Sequence, residues 1–148
     1  MLQETCTKLF ERDLNRLERE VSAYTNEADL WKSQPGIANT GGNLCLHLVG
    51  NLKNYIGKNL GGIAYERNRE REFADKDIPK DQLLKSIMET KEAVLSSISR
   101  LTTEDMAKIY PEEVLGSAMT TEYFLVHLYG HLNYHLGQIN YHRRLLNQ

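Results

Sequence analysis

Residues 121–146 read TEYFLVHLYGHLNYHLGQINYHRRLL. With about 100° between successive side chains, Phe124, Leu128, Leu132, Ile139 and Leu146 collect on one arc, so the stretch predicts an amphipathic α-helix. At a rise of about 1.5 Å per residue it would be the longest element of the chain. A helix with a single apolar arc must bury that arc against other elements, and the rest of the sequence supplies them as helices.

Upstream, the segment from about Leu2 to Tyr24 places Leu9, Phe10, Leu14, Leu17 and Val21 at three- and four-residue spacing, with charged residues on the other faces. Thr25 to Gly42, holding Trp31, Pro35, Gly36, Gly41 and Gly42, reads as an ordered loop. A second helix begins near Asn43, runs through NLCLHLVGNLKNYIGKNL and stops at Gly61 and Gly62, where glycine can take the left-handed capping conformation. The connection AYERNREREFADKDIPK is highly charged and reads as solvated, and its Pro79 suits the start of a third helix. That helix spans about Lys80 to Arg100, with Leu83, Leu84, Ile87, Met88, Val94, Leu95 and Ile98 as its apolar stripe. A third long connection, with a short helical turn near Thr103 to Met106, leads back to 121–146. Four apolar stripes with no strand pattern predict an all-α fold, a four-helix bundle with long connections after helices 1, 2 and 3.

The chain has 148 residues, 41% hydrophobic and 26% charged, the size and balance of a single domain over 1–148. A net charge of -2 gives no electrostatic reason to expect nucleic acid or an anionic membrane as partner. The one basic cluster, Arg67, Arg69 and Arg71, is interleaved with Glu66, Glu70 and Glu72 and reads as solvated. No secretory leader or membrane-spanning run is apparent, so the expected location is the cytoplasm. Cys6 and Cys45 lie inside helical patterns without C-x-x-C spacing and read as small buried hydrophobes.

Chemical information concentrates in the five histidines, of which His127, His131, His135 and His142 all lie in the last helix. Counting from His127, His131 falls at about 40°, His142 at about 60° and His135 at about 80°, a stripe overlapping the edge of the core arc. An i, i+4 pair of imidazoles can converge on one ion, and the spacing permits either His131 with His135 or His127 with His131. His47, alone in the apolar run LCLHLVGNL, would add a third nitrogen from a facing helix and leave positions open for water or substrate. Against this, a single histidine on an apolar face is ordinarily a hydrogen-bonded core residue, and such a stripe can be plain packing. Asn51 and Gln138 lie about one turn from proposed ligands and are candidates to orient an imidazole or a water, or to bridge helices.

The stretches NTGGNLCLHLVGNL, RNREREFADKD and HLYGHLNYHLGQINYHRRLL together resemble the DinB/YfiT-like superfamily, over most of the chain. The most specific piece is HLNYHLGQI, similar to an H-x-x-x-H-x-G-Q-I ending, preceded by a histidine in an apolar second helix. The resemblance implies a four-helix bundle, often a homodimer, with one nickel or zinc ion on His47, His131 and His135. His127 and His142 are then left outside the ligand set, and Gly137 would permit close helix approach.

The resemblance also implies two functional classes. One is a metal-dependent transferase or hydrolase acting on a small molecule, using water or a low-molecular-weight thiol as nucleophile. The other is a non-catalytic metal-binding or stress-related structural protein. Catalytic residues are not legible: Glu66, Glu70, Glu72 and Tyr134 are candidate bases by residue type alone.

Overall fold

In the computed structural model, which describes residues 1–147, six α-helices follow one another: α1 (Leu2–Ser22), α2 (Gly41–Leu52), α3 (Arg69–Ala74), α4 (Lys80–Ile98), α5 (Thr103–Ala107) and α6 (Thr121–Leu146). The four longest, α1, α2, α4 and α6, form the bundle. Among the described residues there is no strand, only isolated bridges at Gln34–Ile37 and Ile109–Thr120. Among the described residues no helix is long and apolar enough to cross a membrane.

The anticipated stripes meet at the centre. Phe10, Leu14 and Leu17 of α1, Leu48 and Leu52 of α2, Leu83 and Ile87 of α4, and Phe124, Leu128 and Leu132 of α6 are all buried. Each such side chain contributes about 1.5–3 kcal/mol through loss of apolar surface to water. Met88 departs from its expected place in the stripe and is 48% exposed. Cys6 and Cys45 are both buried free thiols, and burial pushes Cys45 up to about 12, so it behaves as a hydrophobe.

Helix directions follow from cross-bonds. Asp13 meets Tyr129 and Glu20 meets Arg143, so α1 and α6 run parallel. Lys53 pairs with Glu89 and Gly57 faces Ala93, so α2 and α4 also run parallel. Gln3 reaches the Ile98 carbonyl and Lys91 reaches Asn15, which sets α4 antiparallel to α1. Because α2 and α4 point the same way, the chain between them must travel back along the bundle. That return path carries α3 against α2.

Three local details differ from the expectation. Helix α2 starts at Gly41, where the Thr40 hydroxyl accepts the Asn43 N–H. Positions 41 and 42 are glycine because side chains press on them: a Cβ on Gly42 would lie 2.8 Å from the Trp31 ring, and one on Gly41 would collide with the Tyr24 hydroxyl. Second, α2 continues as a π-helical stretch, Lys53–Lys58, which keeps Ile56 in the core beyond Leu52. Third, the charged connection is only partly solvated. Asn68 accepts the Arg71 N–H, caps α3, and thereby turns Glu72 into the protein.

Asp13 is fully buried at the α1–α6 seam. Arg12 Nε donates to it at 2.9 Å, Arg16 lies 3.0 Å away, and the Tyr129 hydroxyl donates at 2.6 Å. Burial alone would raise its pKa, but hydrogen bonds from Arg12, Tyr129 and Asn133 prevail and lower it from 3.8 to about 2. A depressed folded-state pKa stabilises the protein above the unfolded value, by about 2 kcal/mol for this shift. That contribution fades as pH falls through the folded value. Asp13→Asn should therefore lose about 2 kcal/mol at neutral pH, with urea curves of variant and wild type converging between about pH 4 and about pH 2. A deficit unchanged across that interval would place the effect in packing instead of ionisation.

Candidate metal centre

α2 and α6 run antiparallel across the bundle and bring together side chains far apart in sequence. His47, in the middle of α2, meets His131 and His135, one turn apart on α6. His131 Nε2 lies 3.1 Å from His47 Nε2 and 3.1 Å from His135 Nε2, and one ring nitrogen from each residue falls within 4.8 Å of the others. For an ion with metal–nitrogen bonds of about 2.0–2.1 Å, tetrahedral geometry separates ligand nitrogens by about 3.3 Å, close to this spacing.

The outer nitrogens decide which inner ones carry lone pairs. His47 Nδ1 is 3.0 Å from Glu72 Oε1, and an ionised carboxylate only accepts, so Nδ1 holds a proton and Nε2 is the nitrogen left to bind as a lone-pair donor when the ring is neutral. His135 Nδ1 donates to Gln138 Oε1 at 2.7 Å, with the same consequence for its Nε2. Both Nε2 atoms point at His131 Nε2, and one hydrogen there can serve only one of them. The His131 Nδ1 is buried and unpartnered, so this ring lacks the outer bond its neighbours have. Burial first, and then the nearby His135 and His47, lower His131 to about 4; burial also lowers His135. Three converging imidazoles could hold a divalent transition metal, which is what this donor set suits.

Glu72 is held in turn. Arg67 Nε donates to its Oε2 at 2.8 Å and Nη2 to its Oε1 at 2.9 Å, a bidentate pair with both partners largely buried. Burial raises the Glu72 pKa, while bonds from His47 and Arg67 outweigh it and keep the carboxyl ionised. A Cβ on Gly50 would collide with this carboxylate, so glycine in HLVGNL makes room for it.

Other sequence expectations sort as follows. Gln138 sits on His135. Asn51 is buried in the same cleft but bonds to no imidazole, and its Oδ1 has no partner. His127 stays outside the cluster, exposed and stacked on Phe124 with ring planes 10° apart. His142 is a core residue: the Tyr24 hydroxyl donates to Nδ1 at 2.7 Å, and Nε2 donates to the Lys32 carbonyl at 2.9 Å.

The expectation that the Arg67, Arg69 and Arg71 cluster is solvated is corrected for Arg67. Its side chain is only 11% exposed, because the Glu72 carboxylate draws it inward. Arg71 is exposed and pairs with Asp75, and Arg69 lies over the Phe73 ring. Glu66 and Glu70 face solvent. Gly137 permits no close helix approach within the chain, since a Cβ there would meet nothing within 4 Å. The role of Glu72 as partner of His47 is not apparent from the sequence; its available signal is Asn68, a capping residue ahead of REREFA.

A cleft of about 200 Å³ opens on His47 and His131, bordered by Asn51, Tyr55, Arg67, Phe124 and His127. Two of the three converging histidines, His47 and His131, thus border an accessible space.

Among solved structures, the chain is similar to a DinB-like protein from Bacillus cereus ATCC 10987, with a TM-score of 0.77 at 19% identity, covering 99% of this chain and 95% of that one. At that identity the likeness is one of fold. No curated protein matches the chain. The sequence model of the DinB superfamily matches residues 9–139, nearly the whole bundle from α1 to α6, and the chain belongs to that superfamily.

Proposed function

We propose that His47, His131 and His135 hold one divalent transition metal, nickel or zinc, and that the protein is a metal-dependent transferase or hydrolase acting on a small molecule. The observation that carries this reading is the convergence of two imidazole nitrogens on a third at 3.1 Å, with a cleft bordered by His47 and His131. A bound ion would supply Lewis acidity, lowering the pKa of a water or small thiol at its open side.

The chain's own residues prepare the rest. Glu72, locked by Arg67, fixes the tautomer and ring angle of His47; Gln138 does the same for His135. Phe124 and Leu128 line the cleft and limit water, while Asn51 borders it with a polar group free to orient a ligand. Among the base candidates, Glu72 is committed to His47 and Arg67, and Glu66 and Glu70 face solvent. His127 borders the cleft beside His131 and is the side chain placed to accept a proton from the nucleophile.

Elemental analysis of untagged protein, beside His135→Ala, tests the reading. Close to one transition metal per chain is expected in the wild type and almost none in the variant. If neither protein takes up nickel, zinc or manganese, the cluster is packing and the enzyme reading falls. Full metal occupancy without turnover, on a panel of esters, amides and thiol acceptors, would instead assign the ion to structure.

A further inference from the structure

The cleft beside His47 and His131 is lined by Arg67 and Arg69 and by no carboxylate. The two guanidinium groups differ in what already binds them. Arg67 is committed to Glu72, which accepts from both its Nε and its Nη2, so that pair adds little net charge to the space. Among the described residues, Arg67 and Arg71 each have an acidic partner and Arg69 has none. Glu66 and Glu70, its neighbours in sequence, face solvent. Arg69 instead rests on an aromatic platform: its Cζ lies 5.4 Å from the centre of the Phe73 ring, and that ring lies 5.0 Å from the ring of His47. Stacking uses none of the five guanidinium N–H donors, which stay in one plane where a carboxylate can meet two of them at once.

The walls strengthen this charge. Phe124, Leu128 and Val114 give the cleft apolar sides, and a cation beside low-dielectric walls concentrates its field in the space between them. Asn51 supplies a second sign that a polar molecule belongs here. It is only 7% exposed, borders the same cleft, and its Oδ1 has no hydrogen-bond partner. Buried carboxamide oxygens are normally satisfied, so this wall suits a ligand that brings an N–H or O–H of its own.

We propose that the cleft recognises a small carboxylate, its charged end paired with Arg69 at the rim and its reacting end at His47 and His131. The assignment rests on the metal centre proposed above and adds to it the class of substrate. One uncommitted guanidinium answers one carboxylate, whereas a phosphate dianion would bring a second charge that no other unpaired arginine on the lining offsets. The cleft, about 200 Å³, is smaller than the about 300–1,000 Å³ of sites for drug-sized ligands, so the carboxylate sits only a few atoms from the reacting group.

Calorimetric titration of zinc-loaded protein with hydroxamates, which carry their own group for the ion, tests the substrate class separately from the metal centre. Malonic, succinic and glutaric monohydroxamates place a carboxylate at increasing reach, and alkyl hydroxamates of equal length are their neutral counterparts. Wild type should bind one of the acids at least about tenfold more tightly than its neutral counterpart, the scale of a charge-assisted hydrogen-bonded pair. That preference should shrink between about 0.05 M and about 0.5 M salt. Arg69→Gln should abolish it without changing the affinity for the neutral hydroxamate. Arg71→Gln, which removes a guanidinium paired with Asp75 outside the cleft, should keep it. Equal affinity for acid and neutral compound at all three lengths overturns the inference and leaves the metal centre standing. A preference that survives in Arg69→Gln, or is lost equally in Arg71→Gln, overturns it as well. If the neutral hydroxamates do not bind at all, the metal centre falls, and the inference falls with it.

Discussion

Replacing Glu72 by alanine is expected to destabilise the metal-free protein by about 3–5 kcal/mol, the usual cost of removing one partner from a buried ion pair. Arg67, mostly enclosed at its side chain, would lose both hydrogen bonds that balance its burial. His47 Nδ1 would lose its acceptor at the same time. Outer partners of this kind change metal affinity about 10- to 100-fold, so the variant should also bind zinc or nickel that much more weakly. Stability and affinity can be separated. In the double variant Arg67→Met with Glu72→Leu, apolar side chains replace the pair, and urea denaturation should show much of the stability recovered. Metal affinity, measured by competition with a chromophoric chelator, should stay low, because no acceptor faces His47. Recovery of both would show that Glu72 acts only through packing and that His47 needs no fixed tautomer.

Chelation provides the second large effect. An ion that binds only the folded chain, present at about 1,000 times its dissociation constant, adds about 4 kcal/mol of stability. For a domain of this length about 2–4 °C accompanies each kcal/mol, so stripping the metal should lower the melting temperature by about 8–16 °C. His135→Ala should abolish the chelator-induced shift. His142→Ala makes the contrast, since it removes the partner of Tyr24 and Lys32 inside the core without touching the cluster. Its melting temperature should fall in chelator, while the gain on adding metal persists. Equal responses of the two variants to metal would mean that the ion binds somewhere other than the α2–α6 site.

The two histidine variants also show how differently equivalent-looking residues are legible. His131, His135 and His142 share one stripe by helical arithmetic, and on that basis His127 with His131 is as good a pair as His131 with His135. Side-chain angle around one helix says nothing about which neighbouring helix stands opposite. The structure places α2 beside the middle of α6, so His131 and His135 meet His47, while His142 lies near Tyr24 and the Lys32 carbonyl.

The four long helices are legible because each carries a stripe at helical spacing, and periodicity depends only on local geometry. Their ends are less so: Gly41 and Gly42 carry loop-like residue identities, but Trp31 and Tyr24 press against them, and only contacts across the fold reveal that. The DinB-superfamily membership can likewise be anticipated, from HLNYHLGQI and the histidine of α2.

The bundle, its apolar arcs and the histidine-rich helix are therefore fixed at the level of the chain, since they are properties of residues a few positions apart. Three other features arise only when the helices pack. α2 and α4 run parallel, their long connection returns along the bundle, and Glu72 and Arg67 are drawn from a charged segment into the protein beneath His47. Each depends on residues that meet only across the fold. A charged side chain on an isolated helix is expected in water, and it is buried only where the fold sets an opposite charge and an imidazole N–H within hydrogen-bond reach.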